Sequence, residues 1–464
     1  MNNLSSAFYK TLELINSVNH DENYWHKGLS LGDLLFTEIM IGELNNKENH
    51  IGFFTKIKHL IKAKKDRIRH ALKDEISEGE ILFFVNSSSQ WNCIYPVYHS
   101  LQKANINVTV ITTKPKLIKY FLELKITASL IRGFSYTNSE LFDYSTSKDK
   151  LSSTIKYYLP QIKFLEQSFT NIFIKRKPKY VLVGNDITFE GRLLATISKR
   201  FNVPTGMIQH GAIDNVNLVL GRSMVDQIFV YGVNARSSLS FLGIAPHKIF
   251  ISGLPKQQNN STSANFSNKP LGFTDFVVAA FSGYGHSVSK QHHLLIIETL
   301  KMAQKALKFN LCIKIHPKDD KNNYLGFDGK STVLLDNADL QTMKISFHDL
   351  LRQASIVLSG SSTSVLDALL VGTPVITLDL LNEYSNVGFI KDGLTAHTTS
   401  FEDFKKEIIN LLLARKNNDA LFSTIQQHAL EDYYYRFYDN TYLPEEFITH
   451  EIQLKSGLQS AIIE

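Results

Sequence analysis

The chain has 464 residues, of which 43% are hydrophobic and 20% are charged, values that favour two globular domains and exclude a largely disordered protein. Lysine and arginine number 50 against 44 aspartates and glutamates, so the formal net charge is +6, which permits an anionic substrate without requiring nucleic acid. Cys93 and Cys312 belong to no Cys-x-x-Cys pair, which argues against a zinc or disulfide framework and for a reducing compartment.

The first 78 residues have the pattern of a polar, helical extension. They lack a basic head followed by an apolar core, and no window of the chain approaches the length of a membrane span. The sequence therefore predicts a cytoplasmic protein. Residues 55–73 form a basic amphipathic helix in this prediction, which either packs on its own domain or contacts the anionic inner membrane.

Apolar runs alternate with helical patterns from residue 80 to residue 255. Such alternation predicts a parallel sheet covered by helices on both faces. One of the predicted helices spans residues 189–200. The predicted strands are 81–85, 108–111, 180–183, 206–208, 227–230 and 249–251.

A second alternating unit follows a polar stretch at 256–269, which is rich in asparagine and serine and is interpreted as a linker. Its predicted helices are 291–307 and 401–415, and its predicted strands are 276–281, 311–315, 356–358 and 374–378. We therefore expect an N-terminal domain at 1–255, a C-terminal domain at 256–430 and a tail at 431–464 that packs back on the first domain. Two doubly wound α/β domains would face one cleft, where ligands bind beyond the carboxyl ends of the strands.

A hydroxyl-rich turn provides the most informative pattern of the second half. Ser361, Ser362, Thr363 and Ser364 separate a predicted strand from a predicted helix that Gly372 ends. Hydroxyl groups and free backbone N–H groups at the start of a helix suit a phosphate. In the structural alternative, one serine caps the helix and the others fill the turn.

Lys314, His316 and Pro317 lie at the carboxyl end of the predicted strand 311–315. The imidazole of His316 could donate to a phosphate oxygen or stabilise a departing nucleotide, with help from Lys314. A structural alternative is a histidine that bonds to the backbone of its own loop.

Gln209, His210 and Gly211 form a similar strand-to-turn junction in the first half. His210 is a candidate general base or acceptor-positioning donor, and Gln209 and Gly211 are candidate acceptor-binding residues. Gly211 would let the chain bend sharply or let a ligand approach closely.

Asp186 follows the strand 180–183 and precedes the helix 189–200. It is interpreted either as the N-cap of that helix or as a carboxylate that removes the proton of an acceptor hydroxyl. Glu190, one helical turn further along, is the alternate base.

Two further loops follow strands. Ser87 and Ser88 are expected on the acceptor side, and Gly283, Tyr284 and Gly285 on the donor side. No phosphate-loop motif of the ATPase kind is present. No Asp-x-Asp closes an apolar strand, so we expect neither a metal nor another cofactor at the site.

In this order, Gln209-His210-Gly211, His316-Pro317 and Ser361-Ser362 resemble the motifs of GT-B-type glycosyltransferases that assemble bacterial capsule and lipopolysaccharide. The similarity covers about residues 179–379 and is closest to sialyl-, polysialyl- and Kdo-transferases with a His-Pro motif. The resemblance implies a GT-B fold, a nucleotide-sugar donor, a glycan or glycolipid acceptor and no nucleic acid. It also implies that the histidine and serines hold the phosphate of a CMP-linked acidic sugar during metal-independent, inverting transfer.

The resemblance leaves several alternatives open. Bacterial sialyltransferases carry an acidic pair before a glycine, whereas this chain has Asn185-Asp186 and, nearby, Glu190-Gly191, so the base stays open among Asp186, Glu190 and His210. Teichoic-acid transferases with CDP-glycerol or CDP-ribitol donors have similar motifs. A UDP-sugar transferase is poorly matched, since only Glu383 lies near the expected glutamates. A sugar-nucleotide epimerase and a non-enzymatic binding protein are the remaining alternatives.

Overall fold

The computed structural model describes most of both halves of the chain. The basic segment 55–73, the polar stretch 256–269, the loop residues 283–285, Pro317 and most of the aromatic tail at 434–440 lie outside the described residues, and so do the predictions made for them. The described residues are 3–18, 21, 25–27, 29–45, 80–131, 147–211, 213, 218–255, 271, 275–282, 288–316, 319–343, 345–384, 387–417, 419–433 and 442–458.

The N-terminal extension forms a small helical layer on the first domain. Its buried apolar residues belong to one core with residues of the first sheet and three later helices. The extension is thus an integral part of the first domain. Its elements are α1 (Asn3–Val18), the hairpin strands β1 (Trp25–His26) and β2 (Leu29–Ser30), α2 (Leu31–Leu34) and α3 (Phe36–Asn45).

Among the described residues, seven parallel strands form the first sheet, in the order β5-β4-β3-β6-β7-β8-β9. The central strands are buried along their whole length, as their unbroken apolar runs predict. The strands are β3 (Ile81–Phe84), β4 (Val108–Thr112), β5 (Ala128–Leu130), β6 (Tyr180–Val183), β7 (Thr205–Ile208), β8 (Gln227–Val230) and β9 (Ile249–Ile251).

Helices connect these strands and cover both faces of the sheet. They are α4 (Ser88–Lys103), α5 (Pro115–Glu123), α6 (Ser147–Arg176), α7 (Phe189–Arg200) and α8 (Val233–Phe241). Short 3-10 turns span Leu218–Arg222 and Pro246–Lys248.

The second sheet is also parallel, and its described strands follow the order β12-β11-β10-β13-β14-β15. These strands are β10 (Val277–Ala279), β11 (Leu311–Lys314), β12 (Thr332–Leu335), β13 (Ile356–Ser359), β14 (Val375–Leu378) and β15 (Ala396–Thr398). The helices of this half are α9 (Lys290–Leu307), α10 (Asn337–Thr342), α11 (Phe347–Gln353), α12 (Ser364–Leu370), α13 (Gly388–Lys391), α14 (Phe401–Asn417) and α15 (Asp419–Asp432), with a 3-10 turn at Lys321–Tyr324.

The chain returns to the first domain through its last described helix, α16 (Pro444–Ser456). Ile448 and Ile452 of α16 are fully buried and share a core with α4 and with strands of the first sheet. Among the described residues, no helix has both the length and the hydropathy that a lipid bilayer crossing requires. The predicted pair of doubly wound parallel sheets is confirmed.

Candidate active site in the cleft between the two sheets

The carboxyl ends of the two sheets face each other. Gly211 follows β7 of the first sheet, and Thr363 precedes α12 of the second. A Cβ atom built on Gly211 would lie 4.0 Å from Cγ2 of Thr363. The structure thus brings the Gln209-His210-Gly211 turn and the hydroxyl-rich turn together across one cleft, at the strand ends where α/β proteins bind ligands.

Gln209 shapes the first turn. Its side-chain Nε2 donates to the carbonyl of Gly211 at 2.8 Å, and its Oε1 accepts the N–H of Tyr231 at 2.8 Å. The side chain is buried, so both ends of the amide make contacts inside the protein. Gln209 thus has a structural role in the turn that carries His210, and its acceptor-binding role stays a prediction.

His210 is partly buried at the tip of that turn. Burial lowers the pKa of its imidazole, although a hydrogen bond to the backbone of Ile208 and the nearby charge of Asp186 oppose this effect. The ring is therefore neutral at pH 7, with one nitrogen committed as a donor to the Ile208 carbonyl. The other nitrogen then carries a lone pair, which is what a general base requires.

Asp186 lies fully buried beneath the turn and does not cap α7. The N-cap position of α7 is Thr188, and this corrects the capping interpretation of Asp186. Its Oδ2 instead accepts from Ser223 Oγ at 2.6 Å, from Met224 N at 2.6 Å and from Val225 N at 3.3 Å. Asp186 thus fixes the 223–225 loop through Oδ2, whereas its Oδ1 is buried without a hydrogen-bond partner.

The other acceptor-side candidates lie at the same edge of the first sheet. Glu190 is buried, and its Oε1 lies 3.1 Å from Nζ of Lys114. Ser87 caps α4, because its Oγ accepts the N–H of Gln90 at 3.2 Å. Ser88 is exposed at the start of the same helix. Of these residues, Ser88 is the one that solvent reaches most readily.

Some hydroxyl groups of the hydroxyl-rich turn hydrogen-bond within the protein, and others are available to a ligand. Ser364 is buried, and its Oγ donates to the carbonyl of Ala280 at 3.0 Å and lies 2.9 Å from Ser359 Oγ. Ser364 therefore ties the turn to the end of β10, which corrects its predicted donor-binding role. Ser362 Oγ accepts the N–H of Ser364 at 3.3 Å.

Two groups of this turn remain for a ligand. Thr363 is exposed at the N-cap of α12 and makes no capping hydrogen bond through its side chain. Oγ of Ser361 is buried and has no hydrogen-bond partner. A buried hydroxyl without a partner costs about 1–3 kcal/mol, so Ser361 is the strongest candidate for ligand contact in this turn.

His316 follows β11 at the same edge of the sheet. Because β10 lies between β11 and β13, His316 and Ser361 come from strands about 10 Å apart. Asp319, whose N–H donates to the carbonyl of His316 at 2.9 Å, helps to shape this loop. Lys314 is partly buried, its Nζ donates to the Ile315 carbonyl at 3.1 Å, and burial lowers its pKa.

A buried contact between a histidine and an aspartate anchors the His316 loop to α9. Nε2 of His293 lies 3.1 Å from Oδ2 of Asp319, and the hydroxyl of Tyr324 donates to the same oxygen at 2.6 Å. Burial raises the pKa of Asp319, but its contacts with His293 and Tyr324 outweigh that effect and hold the pKa at about 2. The carboxylate is thus ionised at neutral pH.

A second polar group lies beside the hydroxyl-rich turn, and of its members only Glu383 was noted from the sequence. His292 is fully buried at the start of α9; its Nδ1 lies 2.9 Å from Oε2 of Glu383, and its ring stacks on Tyr384 with centroids 5.0 Å apart. Tyr384 in turn lies under the turn, since a Cβ on Gly360 would be 3.0 Å from its ring. Nε2 of His292 and the hydroxyl of Tyr384 are buried without hydrogen-bond partners.

The loop that carries this group is held by a buried carboxylate. Asp379 follows β14 and accepts the N–H groups of Glu383 at 2.6 Å and of Tyr384 at 2.8 Å. Nε2 of His397 lies 3.1 Å from the same carboxylate. In the sequence, these loop residues could have been recognised only as polar residues that follow a strand. The contact between Glu383 and His292 could not be predicted, because it forms only when the two segments pack together in the fold.

Glu38 is a further residue that the sequence pattern missed. Its Oε1 accepts the N–H of Phe189 at 3.3 Å, so this glutamate, and not Asp186, bonds to the free backbone at the start of α7. Burial, reinforced by Glu190, raises the pKa of Glu38 to about 7. No local pattern indicated this contact, because 151 positions separate the two residues.

No protein-family model and no curated protein matches this chain. Solved structures match it over most of its length at low identity. A Staphylococcus aureus MnaA–UDP co-structure has a TM-score of 0.56 at 14% identity, covering 82% of this chain and 98% of that one. A Neisseria meningitidis UDP-GlcNAc 2-epimerase bound to UDP-GlcNAc gives 0.54 at 14% identity, with coverage of 81% and 99%.

The glycosyltransferase of kitacinnamycin gives a TM-score of 0.54 at 10% identity, covering 81% of this chain and 99% of that one. Transferases and epimerases thus share this architecture, and at such identities the likeness establishes the fold alone. The chain has the GT-B fold.

Proposed function

We propose that this chain is an enzyme that transfers a sugar from a nucleotide donor to a glycan acceptor bound in the cleft. One observation carries the proposal. Three buried polar groups, Ser361 Oγ, Tyr384 Oη and His292 Nε2, have no hydrogen-bond partner. All three lie around the carboxyl edge of the second sheet, and the turn of His210 lies opposite.

The donor belongs on the second sheet in this proposal. Hydroxyl and imidazole donors suit the oxygens of a phosphate group. Thr363 and Ser361 would hold the phosphate from one strand end, and His316 from the strand end beyond β10. These groups would stabilise the negative charge that develops on the leaving nucleotide.

The acceptor belongs on the first sheet, and His210 is the base. Its turn lies next to Thr363, so an acceptor hydroxyl at His210 would be close to the donor sugar. The neutral ring can take the hydroxyl proton on its free nitrogen while the Ile208 carbonyl fixes the other one. Asp186 then acts through position and charge, beneath His210, rather than by touching the acceptor.

For the donor we favour a CMP-linked acidic sugar, such as Kdo, sialic acid or pseudaminic acid. The support is the resemblance of His316-Pro317 and Ser361-Ser362 to transferases that use such donors. A glycolipid acceptor at the cytoplasmic face of the inner membrane would agree with the basic segment 55–73, whose role stays a prediction.

A UDP-sugar transferase or epimerase is the second candidate. The observation that favours it is the His292–Glu383–Tyr384 group, which adds a second polar subsite on the strand next to the hydroxyl-rich turn. Two adjacent subsites suit the two phosphates of a nucleoside diphosphate. Three of the matched solved structures are named as complexes with UDP or UDP-GlcNAc, which agrees with this alternative.

Thermal unfolding with CMP, CDP and UDP tests the proposal. A ligand at 100 times its dissociation constant adds about 2.7 kcal/mol, or roughly 5–10 °C for a domain of this size. Ser361→Ala should abolish the shift, whereas Ser400→Ala, an exposed serine of the same domain, should not. Stabilisation by none of the three nucleotides would contradict the proposal.

Turnover then separates the alternatives. Release of CMP from CMP-Kdo or CMP-sialic acid supports the favoured donor. Consumption of a UDP-sugar without any acceptor supports the epimerase, and reaction of CDP-glycerol supports a phosphotransferase of the teichoic-acid type.

A further inference from the structure

The N-terminal extension places a carboxyl group at the carboxyl edge of the first sheet. Thr37 Oγ1 donates to the carbonyl of Ile187 at 2.5 Å, and Glu38 Oε1 accepts the N–H of Phe189 at 3.3 Å. These two bonds seat the start of α3 on the loop between β6 and α7. That loop belongs to the edge where the acceptor would bind.

Apolar packing holds this segment in place. Leu34, Leu35 and Phe36 are fully buried and share a core with α6 and α7. Glu38 lies two residues beyond Phe36 on the same helix, so the buried run fixes the segment that carries it.

The surroundings of Glu38 leave one of its oxygens unused. Oε2 is buried and accepts no hydrogen bond. Three charged or titratable groups interact electrostatically with Glu38, namely Glu190 and Arg192 of α7 and Tyr158 of α6. The ammonium group of Lys114 is paired with the carboxylate of Glu190 and not with Glu38.

We propose that Glu38 is an acceptor-positioning residue, whose unused oxygen accepts a hydrogen bond from a hydroxyl group of the glycan acceptor. This inference rests on the proposed transferase function. A buried carboxylate oxygen without a partner is costly, and such groups concentrate at functional sites. A sugar hydroxyl supplies the missing donor, and the bond is charge-assisted once Glu38 is ionised.

The pH dependence follows from the chemistry of the carboxyl group. Burial raises the pKa of Glu38 to about 7, so ionisation occurs near neutrality. Glycan binding should therefore strengthen as the pH rises from 6 to 8, because the ionised form is the stronger acceptor. A glutamine at this position accepts a weaker bond and does not titrate.

A synthetic glycan array of mono- to tetrasaccharides tests this role. The full chain is applied with the nucleotide that gives the largest thermal stabilisation. Glu38→Gln should bind its preferred glycans about tenfold more weakly than the wild type, the ratio that one lost charge-assisted hydrogen bond produces. The pH effect should also disappear. Glu13→Gln, exposed on α1 of the same extension, should match the wild type in both respects.

Each contrary outcome has a distinct meaning. Equal glycan binding by Glu38→Gln and the wild type, or no glycan bound by a wild type that a nucleotide does stabilise, overturns the role of Glu38 alone. Loss of nucleotide stabilisation in Glu38→Gln also overturns it, since the effect would then be structural. A wild type that no nucleotide stabilises refutes the proposed function itself.

Discussion

Replacing Asp186 by alanine should destabilise the first domain, because this carboxylate is a structural anchor. Its Oδ2 accepts three hydrogen bonds, one from the Ser223 hydroxyl and two from the backbone of Met224 and Val225. Hydrogen bonds to a charged acceptor contribute about 1.5–3 kcal/mol each, and they are not additive. With the backbone donors left buried, we expect a loss of about 3–5 kcal/mol in the free energy of unfolding.

Thermal and urea unfolding measure this loss, which should lower the melting temperature by on the order of 10 °C. Ser223→Ala, which removes one of the three donors, is the matched control and should cost about 1 kcal/mol. Asp186→Asn should lie between the wild type and Asp186→Ala, since its amide oxygen still accepts.

One outcome would contradict the structural role of Asp186. If Asp186→Ala unfolds like the wild type but has lost all turnover, Asp186 is the base after all, and the assignment of that role to His210 is refuted.

Three further predictions concern other parts of the molecule. Above pH 4.5 the Glu38 carboxyl is ionised in the unfolded state, while the folded state retains the proton to about pH 7, so the stability of the wild type falls as the pH rises through this window. In urea unfolding, the stability of Glu38→Gln relative to the wild type should therefore increase by up to about 3 kcal/mol between pH 4 and pH 8. A difference between the two proteins that does not change with pH would contradict this. A Cβ on Gly232 would lie 2.4 Å from the Asp432 carbonyl oxygen, so Gly232→Ala should lower the thermal stability by about 1–3 kcal/mol, whereas an unchanged melting temperature would refute that contact. Asp319→Ala leaves His293 buried without its carboxylate and should cost about 3–5 kcal/mol, measured by urea unfolding at pH 7. The wild type should lose a smaller part of this stability as the pH falls from about 4 towards 2 and Asp319 is protonated. An Asp319→Ala protein as stable as the wild type at pH 7 would argue against the pair.

Local sequence patterns were sufficient to predict candidate site residues that directly follow a strand. Ser361, His316 and His210 each follow an apolar strand, and parallel strands bring such positions to one edge of a sheet. The strands β5, β12 and β15 were not predicted, and β5 and β15 contain few apolar residues.

Long-range contacts explain the remaining errors. Nothing near Asp186 in the sequence shows that the 223–225 loop will donate to it. Ser364 cannot be distinguished from Ser361 by its local sequence, because the carbonyl that binds Ser364 comes from Ala280 on another strand. Glu38 and His292 likewise acquire their surroundings only when distant segments pack together.

A crystal structure of the full chain with the most stabilising nucleotide would show whether the donor binds at the second sheet. We expect a phosphate oxygen within hydrogen-bond distance of Ser361 Oγ, with the sugar end directed towards His210. A nucleotide bound on the first sheet, or one whose phosphate leaves Ser361 Oγ, His292 Nε2 and Tyr384 Oη all without partners, would contradict it.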